Sequence, residues 1–559
     1  MGRATYPLAT EEVKRRRLIQ PNLSHVILGL PYSGARPNPP APAEARQQVK
    51  PSAGAIRSET TMKLLRLCSI LAAAPLAAQS NGAPVEAVAT ITPLDVVRRV
   101  AIIADDSMMG RDTPSRGLEL TAEYVASEFR RAGLHPAGDS GGYIQRFGLS
   151  RWVVDTAESA VKLTARRSRA IARLGIDARY IDGPIPEGPI RGEVVLLSGA
   201  SAAGDVTDRI ILLVADFSGP IRASLTQQVL GLGATGAKAV IVLSNRDSAA
   251  FAEALRVTTP RFTRDSARST DKGAPILAVH DRAVTGVLAA AGIDPARLRS
   301  SARPERRLVR GLAVEIRLVK KVLAHVRAPN VVGILQGTDP ALDHEYLAYS
   351  AHIDHIGITP GQPDSINNGA DDNASGVAGL LELVEAFSVP GARPRRSLLF
   401  LAPSAEERGL LGSAHFTEHP TVPIGSIVAD INMDLIGRNW PDSVIAVGVE
   451  QSDLGETLDR VVRAHPELRM RPIADRWPEE RIFYRSDHYN FARRGVPVLF
   501  FTSGTHPDYH RPTDQPSRIN GEKESRLLRL LFYVGADISN RDSRPQWHPE
   551  SYRQIVDRR

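Results

Sequence analysis

Four apolar runs in the C-terminal half of the chain each end in a polar cluster rich in His, Asp or Glu. Residues 345–351 run into His352-Ile353-Asp354-His355, and Ser397–Ala402 runs into Glu406-Glu407. Ile427–Met433 meets Asp434, and residues 496–501 lead to a loop with His506, Asp508, Tyr509 and His510. Short, continuous apolar runs of this kind read as strands buried on both faces of a mostly parallel sheet. The ends of such strands gather along one edge, where α/β proteins place their sites. A fifth cluster, Gly369-Ala370-Asp371-Asp372-Asn373, precedes a helix predicted over 375–387 with the stripe Val377, Leu380, Leu381, Val384 and Phe387. All five segments therefore point to one place.

Upstream, Leu120, Tyr124, Val125 and Phe129 form a helical stripe over 117–132, stopped at Gly133. Residues 192–292 alternate strands (192–197, 210–214, 239–243, 275–279) with helices (220–231, 281–291) and hold no His and acid cluster able to do chemistry. The Arg-rich stretch at 297–310 lacks the interleaved aromatics of a nucleic-acid surface and reads as a solvated linker. A second α/β unit over 312–540 carries the reactive residues.

The chain has 559 residues, long enough for two or three domains. Its 42% hydrophobic and 24% charged residues exclude wholesale disorder. The single cysteine, Cys68, excludes an internal disulfide and a thiolate metal site. Any metal must sit on His and carboxylate ligands. Residues 1–61 read as a Pro-rich tail, and 62–83 as a secretory signal peptide opening at Met62, with Lys63 and Arg66 before a short apolar stretch. On this reading translation starts at Met62, the tail is an over-extended gene prediction, and the product is periplasmic or extracellular. Of the net charge of +8, five units fall in residues 1–61 and two on Lys63 and Arg66. The remainder is near neutral and makes no case for nucleic acid. No apolar run reaches the roughly 18 residues of a membrane span, so no stable membrane insertion is expected.

The ordered motifs carry a family resemblance. Ala351-His352-x-Asp354-His355, Gly369-Ala370-Asp371-Asp372-Asn373-Ala374-Ser375-Gly376 and Glu406-Glu407-x-Gly409-Leu410-Leu411-Gly412-Ser413 are three of them. Asn432-Met433-Asp434-x-Ile436-Gly437, Ser486-Asp487-His488-x-x-Phe491 and Tyr509-His510-x-x-x-Asp514 complete the set. Together they resemble the di-zinc aminopeptidases, family twenty-eight of the metallopeptidases, which also includes glutamate carboxypeptidases. The resemblance covers roughly 92–540. Residues 166–311 resemble a protease-associated domain, a non-catalytic insert of secreted peptidases. The fold implied is α/β: a mixed, mostly parallel sheet flanked by helices, of zinc-exopeptidase type, with that β-rich insert. The boundaries implied are 84–165 and 312–545 for the peptidase domain, with 546–559 as a tail.

What the resemblance implies for the site is two Zn2+ per chain. Asp372 would bridge them, His352 and Asp434 completing one and Glu407 and His510 the other. Glu406 would be the general base toward a metal-activated water, and Tyr509 a hydrogen-bond donor to the oxyanion. Asp354 and Asp514 would orient His352 and His510. His506 competes with His510 for the last position, which the Tyr-His-x-x-x-Asp setting assigns to His510. His355 and His488 read as structural or pocket-lining. Trp477, Phe483, Tyr484 and Asp487 either line a specificity pocket or pack together. The implied substrate is a peptide with a free N-terminus. Carboxypeptidase action and an inactive receptor of the same fold are the alternatives. The stretch from Asp434 to His510 is too short to hold the dimerisation lid of a related di-zinc family as well. Retention of all the ligand positions argues against a single-zinc glutaminyl cyclase. Oligomeric state stays open.

Overall fold

The computed structural model describes residues 85–557 except 200–203, 219–222, 257–259, 266–272 and 362. The tail, the signal segment and Cys68 lie outside the described residues. Two sheets organise the rest. The larger runs in the order Arg471–Ile473, Ser443–Val447, Val498–Thr502, Ile427–Met433, Tyr346–Ser350, Ser397–Ala402, Lys320–Leu335, Ile144–Val154 and Arg261–Arg264, with His135–Pro136 pairing beside Lys320–Leu335. Its four central strands, 397–402, 346–350, 427–433 and 498–502, are mutually parallel.

Both faces of these central strands are covered, which is why they read as mainly apolar runs, with Asp430 and Asn432 the polar residues inside 427–433. Leu398 and Phe400 enter one core with Leu347 and Tyr349, while Leu399 and Leu401 enter another with Ala348, Phe416 and Phe491. The helices Pro93–Ile103, Arg116–Arg131, Gly376–Ser388 and Gly521–Asn540 cover the first face. Tyr349 donates from its hydroxyl to the Leu531 carbonyl, 3.0 Å away. Gly535 makes that approach possible, since a Cβ there would stand 1.7 Å from the phenol oxygen. Beneath the helices, buried Arg99 contacts Glu128 at 2.7 Å and Glu382 at 2.6 Å, tying three of them together.

The second sheet holds eight strands between Ala160 and Arg317, with a parallel centre of Ile190–Ser198, Ile210–Val214, Ala239–Ser244 and Ile276–His280. It thus begins before residue 166 and ends after 311, because Ala160–Ala165 and Arg306–Arg317 pair with each other. The Arg-rich stretch expected as a linker is a helix, Pro295–Ser300, followed by that strand. Val309, Leu312, Val314 and Ile316 face its core, and Arg306, Arg310 and Arg317 face outward. A long ribbon of Ile144–Val154 on Lys320–Leu335 joins the two sheets. Arg261–Arg264, from within the second unit's sequence, crosses back and pairs with 149–152 of the larger sheet. Residues 546–559, expected as a tail, pack in part: Trp547 donates from its indole to the Gly495 carbonyl at 2.8 Å.

Candidate metal centre

The parallel strands deliver their C-terminal ends to one edge. His352 follows Ser350 by two residues, Asp434 directly follows Met433, and Glu406-Glu407 and His506 to His510 lie in the loops after Ala402 and Thr502. Asp371 and Asp372 sit in the irregular turn Ala370–Ser375 that opens the helix Gly376–Ser388. Asn373 holds that turn in place. Its amide donates to the Met433 carbonyl, next to Asp434, and its oxygen accepts the Gly376 N–H, both at 2.9 Å.

Two groups of donors result, and Asp372 faces both. Its Oδ1 is 3.6 Å from His352 Nε2, which lies 3.3 Å from Asp434 Oδ1 and 4.0 Å from Glu406 Oε2. Its Oδ2 is 3.1 Å from His510 Nε2, which lies 3.3 Å from Glu407 Oε1. The structure brings these residues together in two groups, His355, Asp372, Glu407 and His510 in one and His352, Glu406 and Asp434 in the other, with Asp372 Oδ1 facing the second. His506 is elsewhere: its Nε2 is 3.3 Å from Asp371 Oδ2. Asp371 also accepts the Gly437 N–H at 2.6 Å, so of the adjacent aspartates only Asp372 enters the cluster.

The neighbours of the cluster divide differently from the sequence reading. His352 Nδ1 faces the backbone carbonyl of Asp354 at 3.2 Å, with the Asp354 carboxylate at 3.8 Å. That carboxylate accepts the Glu406 N–H at 3.1 Å and the Thr113 hydroxyl at 3.1 Å, so it also fixes the backbone of Glu406. Asp514, expected behind His510, instead accepts the backbone N–H groups of Asp371 and Asp372 and so holds the Asp372 turn. Tyr509 stacks on His510 with ring centres 3.9 Å apart. Burial and the charges of Asp372 and Glu407 hold its phenol well above the ordinary tyrosine value, so it stays a donor. His488 stacks on Phe500, and burial pushes it down to about 3, keeping it neutral. Trp477 and Phe483 pack with Ile445, Val447 and Phe500, and Trp477 stacks on Trp440.

Two residues that touch the site went unread or misread in the sequence. His355, expected to be structural or pocket-lining, lies inside the second group, with Nδ1 2.9 Å from Glu407 Oε1. Arg111 was not singled out at all. It is buried and donates from Nε to the Ile353 carbonyl (3.0 Å), from Nη1 to those of Ile103 (2.9 Å) and Asn368 (2.7 Å), and from Nη2 to that of Gly369 (2.9 Å). One guanidinium thus clamps the loop bearing His352 to the loop bearing Asp372. Burial lowers its pKa to about 10, against the opposing pull of Asp372, Asp354, Asp514 and Glu407. Its sequence signal is weak, a Gly-Arg-Asp triplet outside any apolar period. Arg111→Met would strand four buried carbonyls, each costing about 1–3 kcal/mol. A loss of at least about 3 kcal/mol in urea unfolding is expected, and an unchanged midpoint would contradict the clamp.

The donor set suits a pair of divalent ions. Carboxylate and imidazole are borderline-hard ligands, and a carboxylate facing two groups is what a two-ion site requires. The electrostatics agree. Burial would lower the His510 pKa, yet Glu407 and Asp372 carry it up to about 10, a field that favours a cation at that point. Burial tends to raise Glu407, but His510 and His355 hold it well below the usual carboxylate range.

Fold and site together define an α/β protein with two adjoining groups of metal-binding side chains at the edge of a parallel sheet. Residues 330–534 match the model of peptidase family M28. Aminopeptidase YwaD of Bacillus subtilis is 26% identical over 251 residues, 42% of this chain and 49% of that protein. Leupeptin-inactivating enzyme 1 of Streptomyces exfoliatus is 28% identical over 193 residues, 34% of this chain and 39% of that protein. The chain thus spans about half or less of the length of these curated relatives. Among solved structures, an aminopeptidase from Aneurinibacillus sp. strain AM-1 aligns over 83% of this chain and 98% of its own, with 17% identity and a TM-score of 0.47.

Proposed function

We propose that the protein is an exported, zinc-dependent aminopeptidase that removes the N-terminal residue of peptides at a site holding two ions. The observation that carries this reading is Asp372, whose two oxygens face two separate donor groups. His352, Asp434 and Asp372 would hold one ion, and Asp372, Glu407 and His510 the other. When bound, the ions supply polarisation of the scissile carbonyl and acidification of water. Glu406 takes a proton from the attacking water and returns it to the leaving amine. Asp354 keeps Glu406 in reach through its backbone N–H. Tyr509, protonated, donates to the oxygen that becomes negative. Residues 166–311, read as a protease-associated insert, supply none of the side chains named in these steps.

The aminopeptidase direction is supported by the likeness to aminopeptidase YwaD, 26% identical over 251 residues. The test is hydrolysis of aminoacyl-nitroanilides and of paired free and N-blocked peptides by the zinc-loaded protein. Cleavage of only the free-amine series is expected. Cleavage of the N-blocked series from the C-terminus would make it a carboxypeptidase, and zinc binding without hydrolysis would make it a receptor.

In the metal-free chain burial, then the charges of Glu407, Asp434 and Asp487, raise the Glu406 carboxyl well above the ordinary value, against the opposing charge of His352. Bound cations would draw it back down, toward the unprotonated form that a base requires.

A further inference from the structure

We infer that His355 is a fourth protein ligand, through Nδ1, to the ion shared by Asp372, Glu407 and His510, so that the two ions are bound unequally. The inference rests on the two-ion reading above and deepens it.

Four atoms converge: His355 Nδ1, His510 Nε2, Glu407 Oε1 and Asp372 Oδ2. His355 Nδ1 lies 2.9 Å from Glu407 Oε1 and 3.7 Å from Asp372 Oδ2. His510 Nε2 lies 3.3 Å and 3.1 Å from the same two oxygens. Donors around a tetrahedral ion with bonds of about 2.0–2.1 Å stand about 3.3–3.4 Å from one another. The four cross-distances scatter around that edge. A hydrogen bond from His355 to Glu407 would explain the shortest of them alone. It would not explain why the same nitrogen also faces Asp372, nor why the two imidazoles sit on the same pair of oxygens.

The ring is held where it is by packing. Its backbone N–H donates to the Arg111 carbonyl at 3.2 Å, and its edge lies against Gly369. A Cβ at Gly369 would meet His355 Cδ2 at 2.6 Å and Cγ at 2.7 Å, and the φ of +59° there is one that glycine tolerates at little cost. The turn that carries Asp372 is thus shaped around this imidazole.

The consequence is a division of labour between the ions. Four protein ligands make a closed site of the kind that serves structure, whereas three leave a position for water or substrate. His352, Asp434 and Asp372 form the open set, and Glu406, the proposed base, stands on that side. The closed site fills first and anchors Asp372. The open site fills second and faces the reacting water.

The full-length protein, stripped with a chelator, is titrated with Zn2+ against a chromophoric competitor. Two binding steps are expected in the unaltered chain. In His355→Ala the tighter step weakens by more than about 100-fold, beyond the 10–100-fold that loss of a hydrogen-bonded neighbour costs. A smaller change overturns the assignment. Because the alanine variant could fail to fold, the unaltered chain with one equivalent of zinc is also measured by X-ray absorption. Two imidazoles on the first zinc support the inference, and one overturns it whatever the variant does. The larger reading fails separately, if the unaltered chain binds fewer than two zinc ions or hydrolyses no peptide.

Discussion

Glu406→Gln is expected to lower kcat by about 10²–10⁴-fold, the usual worth of a general base, while both zinc ions stay bound. The prediction separates two uses of adjacent glutamates. Glu407 places Oε1 within 3.3 Å of His510 Nε2 and 2.9 Å of His355 Nδ1, inside a ligand set. Glu406 approaches the other set at 4.0 Å from His352 Nε2, farther than Asp434 at 3.3 Å. Glutamine keeps the shape and the backbone bond to Asp354 but cannot accept the proton. Zinc content is read by mass spectrometry and turnover on an aminoacyl-nitroanilide. Loss of an ion along with activity would make Glu406 a ligand, and near-normal kcat would remove it from the mechanism.

Asp372→Ala is expected to abolish tight binding of both ions and to cut activity by at least about a thousandfold, since the charge stabilisation that bound ions provide is worth several kcal/mol. Among the described residues no other side chain is placed to replace it, because its two oxygens point to His352 on one side and His510 on the other. Asp371→Asn is the control. Asp371 spends its carboxylate on the Gly437 N–H and on His506, away from the ligand atoms. The asparagine variant is expected to keep two zinc ions per chain, counted by mass spectrometry after dialysis. Equal metal loss in both variants would mean that the turn, and not the bridging carboxylate, is what matters.

The parts of the fold that were legible are those in which both faces of an element are buried. Ser397–Ala402 and Ile210–Val214 are almost wholly apolar, Ile427–Met433 is broken only by Asp430 and Asn432, and the structure draws each as a strand at those bounds. The helix Arg116–Arg131 was equally plain from its stripe, although its buried face turned out to be Leu118, Ala122, Val125 and Phe129 with Leu120 off it. Arg306–Arg317 was missed because a half-exposed strand can alternate Arg with Val and Leu, and the arginines dominated the reading. The strand Arg261–Arg264 was invisible for another reason. It pairs with residues more than a hundred positions away and has only half-buried residues of its own. The site followed the same logic. His352, Glu407 and Asp434 stand at the ends of legible strands, whereas Arg111 and His355 matter through loops folded against one another.

The sequence by itself determined which residues could do chemistry and that they would share one sheet edge, because parallel strands buried on both faces must bring their C-terminal ends together. It also determined that any metal would be held by imidazole and carboxylate, since one cysteine leaves no thiolate set. The resemblance already implied a division among them, and only the tertiary structure decided what holds it. Asp372 and not Asp371 faces both groups because the Asn373 amide and the Asp514 carboxylate orient the turn. His355 enters the cluster because Gly369 leaves room for its ring, and Arg111 joins two loops that are far apart along the chain. Such contacts carry no period in sequence. They depend on the direction of a side chain across a turn, which is set by packing after the sheet has formed.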